Sequence, residues 1–195
     1  MCRVPRNKEF DYQEKLKVAR DLFWKKGYQA TTMNDLVDTL GINRSSIYDS
    51  FGNKHALFLK CLHDYIQEKE LSYQASANKG VSALDSAIMI IKDLVRTILI
   101  DTKTCLSINS TFELSRIDQD VNQLLKQQAN NSIKLFEGLF RKAQQEGELS
   151  AEKDPTLLAY FVVSNFASLW NADLLFNDKK RLYQLTDFLI SIIRA

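Results

Sequence analysis

The stretch "LGINRSSIYDSF", residues 40 to 51, gathers polar groups of one kind. Asn43, Arg44, Ser45, Ser46, Tyr48 and Asp49 bring an amide, a guanidinium, three hydroxyls and a carboxylate close together. Such groups donate and accept hydrogen bonds, and none is activated as a nucleophile by a neighbouring base. Their chemistry is recognition of a polar edge or an anion. Reactive types are sparse elsewhere. His55 and His63 stand eight residues apart, without an acid or cysteine at ligand spacing, so neither a metal centre nor a cofactor is expected. With only 2 His, no Ser-His-Asp order and no phosphate loop, the chain does not read as an enzyme. Cys105, in "TKTCLSINSTFEL", is the candidate for thiol chemistry: it opens a helical segment and follows Lys103 by two residues. A helix start and a nearby ammonium both favour the thiolate. Cys61 reads as a small core residue. Cys2, Cys61 and Cys105 make an odd count at unrelated spacings, which indicates no disulfide framework and a reducing, cytoplasmic compartment.

Helices must position these groups. The 195 residues hold only 6 Gly and 2 Pro, with 45% hydrophobic and 26% charged residues, which suits a soluble all-α protein. Leu16, Ala19, Leu22 and Phe23 lie at helical spacing over residues 11 to 26, and Gly27 ends that run. Thr32 with Asp35 reads as a capping box for a helix carrying Met33, Leu36, Val37 and Leu40. Gly41 permits a tight turn, Asn43 caps a short helix ending near Phe51, and Asn53 caps a long one reaching the seventies. Further helices are expected from Ser82, from about Cys105 to Leu114, over about 118 to 146, from Asp154-Pro155 to about Phe176, and over about 179 to 194. No run alternates at period two.

Two short helices joined through Gly41 make a helix-turn-helix candidate, supported by the helix at 12 to 26. In such a module the second helix enters the DNA major groove, where Arg44, Ser45 and Ser46 would reach base edges or phosphate. Tyr48 offers a hydroxyl and Lys54 a charge at a helix start, both suited to phosphate. Ile47 and Phe51 would face inward onto Leu36, Val37 and Leu22. Residues 1 to 60 carry 11 Lys+Arg against 7 Asp+Glu, and the remaining 135 carry 15 against 17, so the positive balance sits on the side of this module.

The segment "GYQATTMNDLVDTLGINRSSIYDSFGNKHALF", residues 27 to 58, resembles the DNA-binding segment of the TetR family of transcriptional regulators. Gly27, Tyr28, Thr31 and Thr32 match the family's Gly-Tyr-x-x-Thr-Thr opening, Ile47, Tyr48 and Phe51 its core, and Lys54 its helix-starting lysine. The resemblance implies DNA contacts at Thr32, Asn43, Arg44, Ser45, Ser46, Tyr48, Asp49 and Lys54. Asp49 and Ser50 stand where many members carry aromatic residues or His, and Asp49 can accept from cytosine but cannot donate to phosphate. Cys105, Leu106, Asn109, Glu113 and Leu114 are similar to a subgroup in which that cysteine senses electrophiles or oxidants, although Thr104 replaces its usual Gly.

Residues 1 to 55 thus read as the DNA-binding domain. Residues 56 to 195 read as an effector-binding and dimerisation domain, with 56 to 78 as a connecting helix. The resemblance implies a small-molecule pocket there, with Ile91, Val95, Cys105, Phe112, Phe136, Phe140, Phe161, Asn165 and Trp170 as its lining, and its apolar character implies a small hydrophobic ligand. The last two helices are apolar over more than one face, so Leu169, Trp170, Phe176, Leu185, Phe188 and Ile192 suit a four-helix homodimer seam. The most apolar run contains Asn165, Asn171 and Asp173 and does not suit a membrane span. The function expected is a dimeric repressor of a palindromic double-stranded operator, released by an effector or by modification of Cys105. The alternative is a helical protein–protein adaptor with a vestigial DNA module.

Overall fold

The computed structural model describes residues 10–101 and 103–194, so Cys2 and Lys8 lie outside the described residues. Every regular element among the described residues is an α-helix. They are α1 (Tyr12–Lys26), α2 (Met33–Leu40), α3 (Arg44–Phe51), α4 (Lys54–Ala77), α5 (Ala83–Ile100), α6 (Leu106–Leu114), α7 (Gln119–Gln145), α8 (Pro155–Phe176) and α9 (Lys179–Arg194). Among the described residues no helix is long and apolar enough to cross a membrane.

Local chemistry sets most of the starts. Side chains take over backbone N–H groups that the first turn leaves without partners. Asn43 accepts from Ser46 N at 2.8 Å, Asn53 from Ala56 N at 2.8 Å, and Ser82 from Asp85 N at 3.2 Å. Thr32 and Asp35 form the reciprocal box. Gly41 ends α2 in the left-handed region at φ 63°, donating to the Val37 carbonyl at 3.0 Å. A side chain there would add about 1–2 kcal/mol of backbone strain. By contrast α6 starts at Cys105 without a side-chain cap bond.

Two hydrophobic cores organise the chain. The first joins Leu16, Ala19 and Phe23 of α1, Leu36 and Leu40 of α2, Ile47 and Phe51 of α3, and Leu57, Phe58, Leu62 and Tyr65 of α4. Leu106 and Leu114 of α6 and Val121 and Leu125 of α7 complete it. The N-terminal helices therefore bury their apolar faces partly on α6 and α7, beyond the boundary expected near residue 55. The second core packs α5, α8, α9 and most of α7 around Phe136, Phe140 and Trp170. Cys105 packs against both. Helix α4 has 24 residues, about 36 Å at the usual rise, and links the two.

The candidate nucleic-acid interface

Helix α3 buries Ile47 and Phe51, and nothing else on it is fully buried. Two such side chains hold it with roughly 3–6 kcal/mol of apolar burial, and its remaining surface is free. Arg44, Ser45, Tyr48 and Asp49 are exposed there, while Ser46 is half-buried. The Arg44 guanidinium donates to Asn34 Oδ1 at 2.9 Å, which leans it across the α2–α3 turn. The Ser45 hydroxyl lies 3.5 Å from the Asp49 carboxylate, long for an O–H···O bond.

The flanking residues have local duties. Thr32 donates its hydroxyl to Asp35 at 2.7 Å, which leaves it no proton to give a phosphate. A hydrogen bond from Lys26, reinforced by those from Thr32, holds the Asp35 carboxyl well below the usual carboxylate range. Asn43 spends its amide oxygen on the α3 cap and keeps its NH₂ group. The Lys54 ammonium donates to the carbonyls of Tyr28 at 3.0 Å and Thr31 at 2.8 Å and sits 4.2 Å from the centre of the Tyr28 ring. One of its three N–H bonds remains for an anion. Lys54 is thus first a clamp on the turn that precedes α2.

The helix-turn-helix segment is tied to the rest of the chain by contacts between residues far apart in sequence. Glu113, at the end of α6, accepts the backbone N–H groups of Tyr28 at 3.1 Å and Gln29 at 2.7 Å. Gly27 makes room for this approach: a Cβ there would meet the Glu113 carboxylate at 3.3 Å, and its φ of 82° disfavours any side chain. His55 Nε2 lies 2.8 Å from Asp118 Oδ2. Burial, and then the charges of Asp118 and Glu113, push the Tyr28 hydroxyl up. On the other side the Trp24 indole N–H donates to the Thr104 carbonyl, and Lys103 pairs with Asp21 at 3.0 Å.

Residues 16–61 match the model of bacterial regulatory proteins of the tetR family, and residues 99–189 match that of a tetracyclin repressor-like C-terminal domain. The chain belongs to the TetR family. It is therefore a helix-turn-helix transcriptional regulator. It is 29% identical over 191 residues to YezE of Bacillus subtilis, an uncharacterized HTH-type transcriptional regulator, covering 96% of this chain and 98% of that one. It is 29% identical over 160 residues to the HTH-type transcriptional repressor ComR of Escherichia coli, covering 80% of this chain and 76% of ComR. Its fold is similar to that of a TetR-family regulator from Agrobacterium tumefaciens, at TM-score 0.85 and 18% identity, covering 97% and 100% of the two chains. A cysteine mutant of the regulator CifR, solved with 26-bp double-strand operator DNA, matches at TM-score 0.83 and 23% identity, covering 97% and 98%.

In the body, the expected pocket and seam residues fall into different environments. Ile91, Val95, Phe136, Phe140 and Trp170 come together, but as packed core. Phe112 is 75% exposed. It falls midway between Ser110 and Leu114, which α6 buries, and two residues along a helix is a turn of about 200°. Phe161 is exposed and Asn165 is half-buried, its amide donating to the Phe161 carbonyl at 2.8 Å. Two cavities lie elsewhere. One of about 670 Å³ runs between α1, α4 and α7 and is lined by Tyr12, Leu59, Lys60, His63 and Asp120 among others. Another of about 370 Å³ is lined by Glu70, Tyr73, Gln74, Asn131, Ser132, Lys134 and Leu135. None of the nine expected pocket residues lines either. Of the expected seam, Phe176, Leu185 and Phe188 are exposed, Ile192 is half-buried, and Leu169 and Trp170 are buried inside their own chain. Leu157, Tyr160, Leu175 and Tyr183 are also exposed on the same two helices.

Proposed function

We infer that the chain is a homodimeric, cytoplasmic repressor that holds a palindromic double-stranded operator through α3 and lets go when an effector acts on its body. The observation that carries this reading is the division of α3: Ile47 and Phe51 are buried, and Arg44, Ser45 and Tyr48 face out. Arg44 serves a base edge or a phosphate, Asp49 a cytosine amino group, and Ser46, Asn43 and the spare N–H of Lys54 the backbone. Thr32 contributes by fixing the start of α2.

Exposed apolar side chains on α8 and α9 support dimerisation, because large side chains such as Leu175, Phe176, Leu185 and Phe188 are costly to leave in water. A two-fold dimer would read half-sites roughly 34–36 Å apart or a multiple of that. The effector is either a small hydrophobic molecule or an agent that modifies Cys105, which packs against both cores and so can report to both.

Fluorescence anisotropy on DNA flanking the gene, over a salt series, tests the reading. Saturable, sequence-selective binding is expected. Arg44→Ala should weaken it and, if Arg44 meets phosphate, reduce the salt slope by about one unit. Equal, weak binding to all sequences, unchanged by the substitution, would reject it in favour of a protein–protein adaptor.

A further inference from the structure

His55, at the start of α4, and Asp118 and Asp120, at the start of α7, come together although more than sixty residues separate them. One ligand atom from each lies within 4.8 Å of the others. We propose that these three side chains form a divalent transition-metal site, suited to Zn²⁺, that bridges the DNA-reading head and the regulatory body. An imidazole nitrogen and two carboxylate oxygens are a donor set that Zn²⁺ accepts, with water completing a tetrahedron.

The His55–Asp118 pair already stands close to the spacing the ion needs, and Asp120 lies within 4.8 Å of it. His55 Nε2 and Asp118 Oδ2 are 2.8 Å apart and share a hydrogen bond. Around a tetrahedral Zn²⁺ with bonds of about 2.0–2.1 Å, ligand atoms sit roughly 3.3 Å apart. The pair therefore opens by about half an ångström as the ion takes the place of the shared proton. Nε2 then binds the metal, and Nδ1 keeps the proton of the neutral ring.

Asp118 is already oriented. Its Oδ1 accepts Val121 N at 3.1 Å, which leaves Oδ2 free to act as a single-atom ligand. Such outer bonds fix a ligand's direction before the metal arrives. Asp120 is exposed and lines the 670 Å³ cavity, which gives the ion a path from solvent. Glu113 adds negative charge beside Tyr28. The ion would fasten α4, immediately after α3, to α7.

The test is a calorimetric Zn²⁺ titration of the full chain without DNA, after EDTA treatment and with its accessible thiols blocked by iodoacetamide. One equivalent per protomer is expected, with proton release and tighter binding as the pH rises. Asp120→Asn leaves the His55–Asp118 bond and the α7 cap untouched, and should weaken binding by at least about tenfold. His55→Gln should do the same. No saturable binding, or binding that survives both substitutions, overturns the site. Because no operator is present, failure of the repressor reading would not alter the result.

Discussion

The Glu113 carboxylate accepts the backbone N–H of Gln29 at 2.7 Å, a bond between residues 84 positions apart. Together with the bond to Tyr28 N it fixes the end of α6 against the turn between α1 and α2. Hydrogen bonds to an ionised acceptor are stronger than neutral ones, and removing this acceptor leaves two amides without it. Glu113→Ala should lower unfolding stability by about 1–3 kcal/mol, read from urea denaturation. Hydrogen exchange at Tyr28 and Gln29 should accelerate, and Glu113→Gln should restore part of the protection. Unchanged exchange would show that the clamp is not formed in solution.

Asp93 sets a pH limit. Its carboxylate accepts from Lys79 at 2.5 Å, Arg96 at 2.7 Å and Ser76 at 2.8 Å, and so ties the end of α4 to α5. The Lys79 bond, ahead of the others, holds the carboxyl below its ordinary value. A folded-state value below the unfolded one makes the contribution complete above about pH 4 and lost as pH falls through the folded value. The melting-temperature gap between the wild type and Asp93→Asn should hold steady from about pH 7 to 5 and close below about pH 4. A gap of constant size down to acid pH would remove Asp93 from the account.

The two described cysteines should differ sharply in reactivity. Burial pushes the Cys61 thiol up, and its Sγ faces the Leu16 carbonyl at 3.5 Å. Cys105 is half-buried, and its Sγ receives the Tyr65 hydroxyl at 3.3 Å. Iodoacetamide at neutral pH should label Cys105 and leave Cys61 untouched in mass spectra. Equal labelling of both thiols would contradict the packing described.

How far the sequence reached depends on the range of the interaction. The cap of α3 by Asn43, the Thr32–Asp35 box and the Asp154-Pro155 start of α8 involve residues within three positions of one another, so type and spacing suffice. The inward phase of Ile47 and Phe51 follows from helical period alone. Glu113 on Gln29, His55 on Asp118 and Trp24 on Thr104 are ordinary residue types joined across 63 to 84 positions, and no local pattern distinguishes them. Phe112 was expected in a pocket lining, and its phase on α6 leaves it exposed in the single chain. Leu169 was assigned to a subunit seam because α8 is apolar on several faces, and that leaves the choice between inner and outer face undecided by composition.

The chain has 2 tryptophans, and they are placed very differently. Trp170 is sealed in the second core. Trp24 is half-buried between α1 and the segment before α6, with its N–H on the Thr104 carbonyl, the Lys103 ammonium 4.9 Å from its ring and the Tyr65 ring 5.0 Å away. An indole's emission shifts with the charge and hydrogen bonding around it, and all three neighbours belong to elements other than its own helix. Trp24 is therefore an optical gauge built into the seam: its colour registers whether the reading head and the body are docked, with no dye attached.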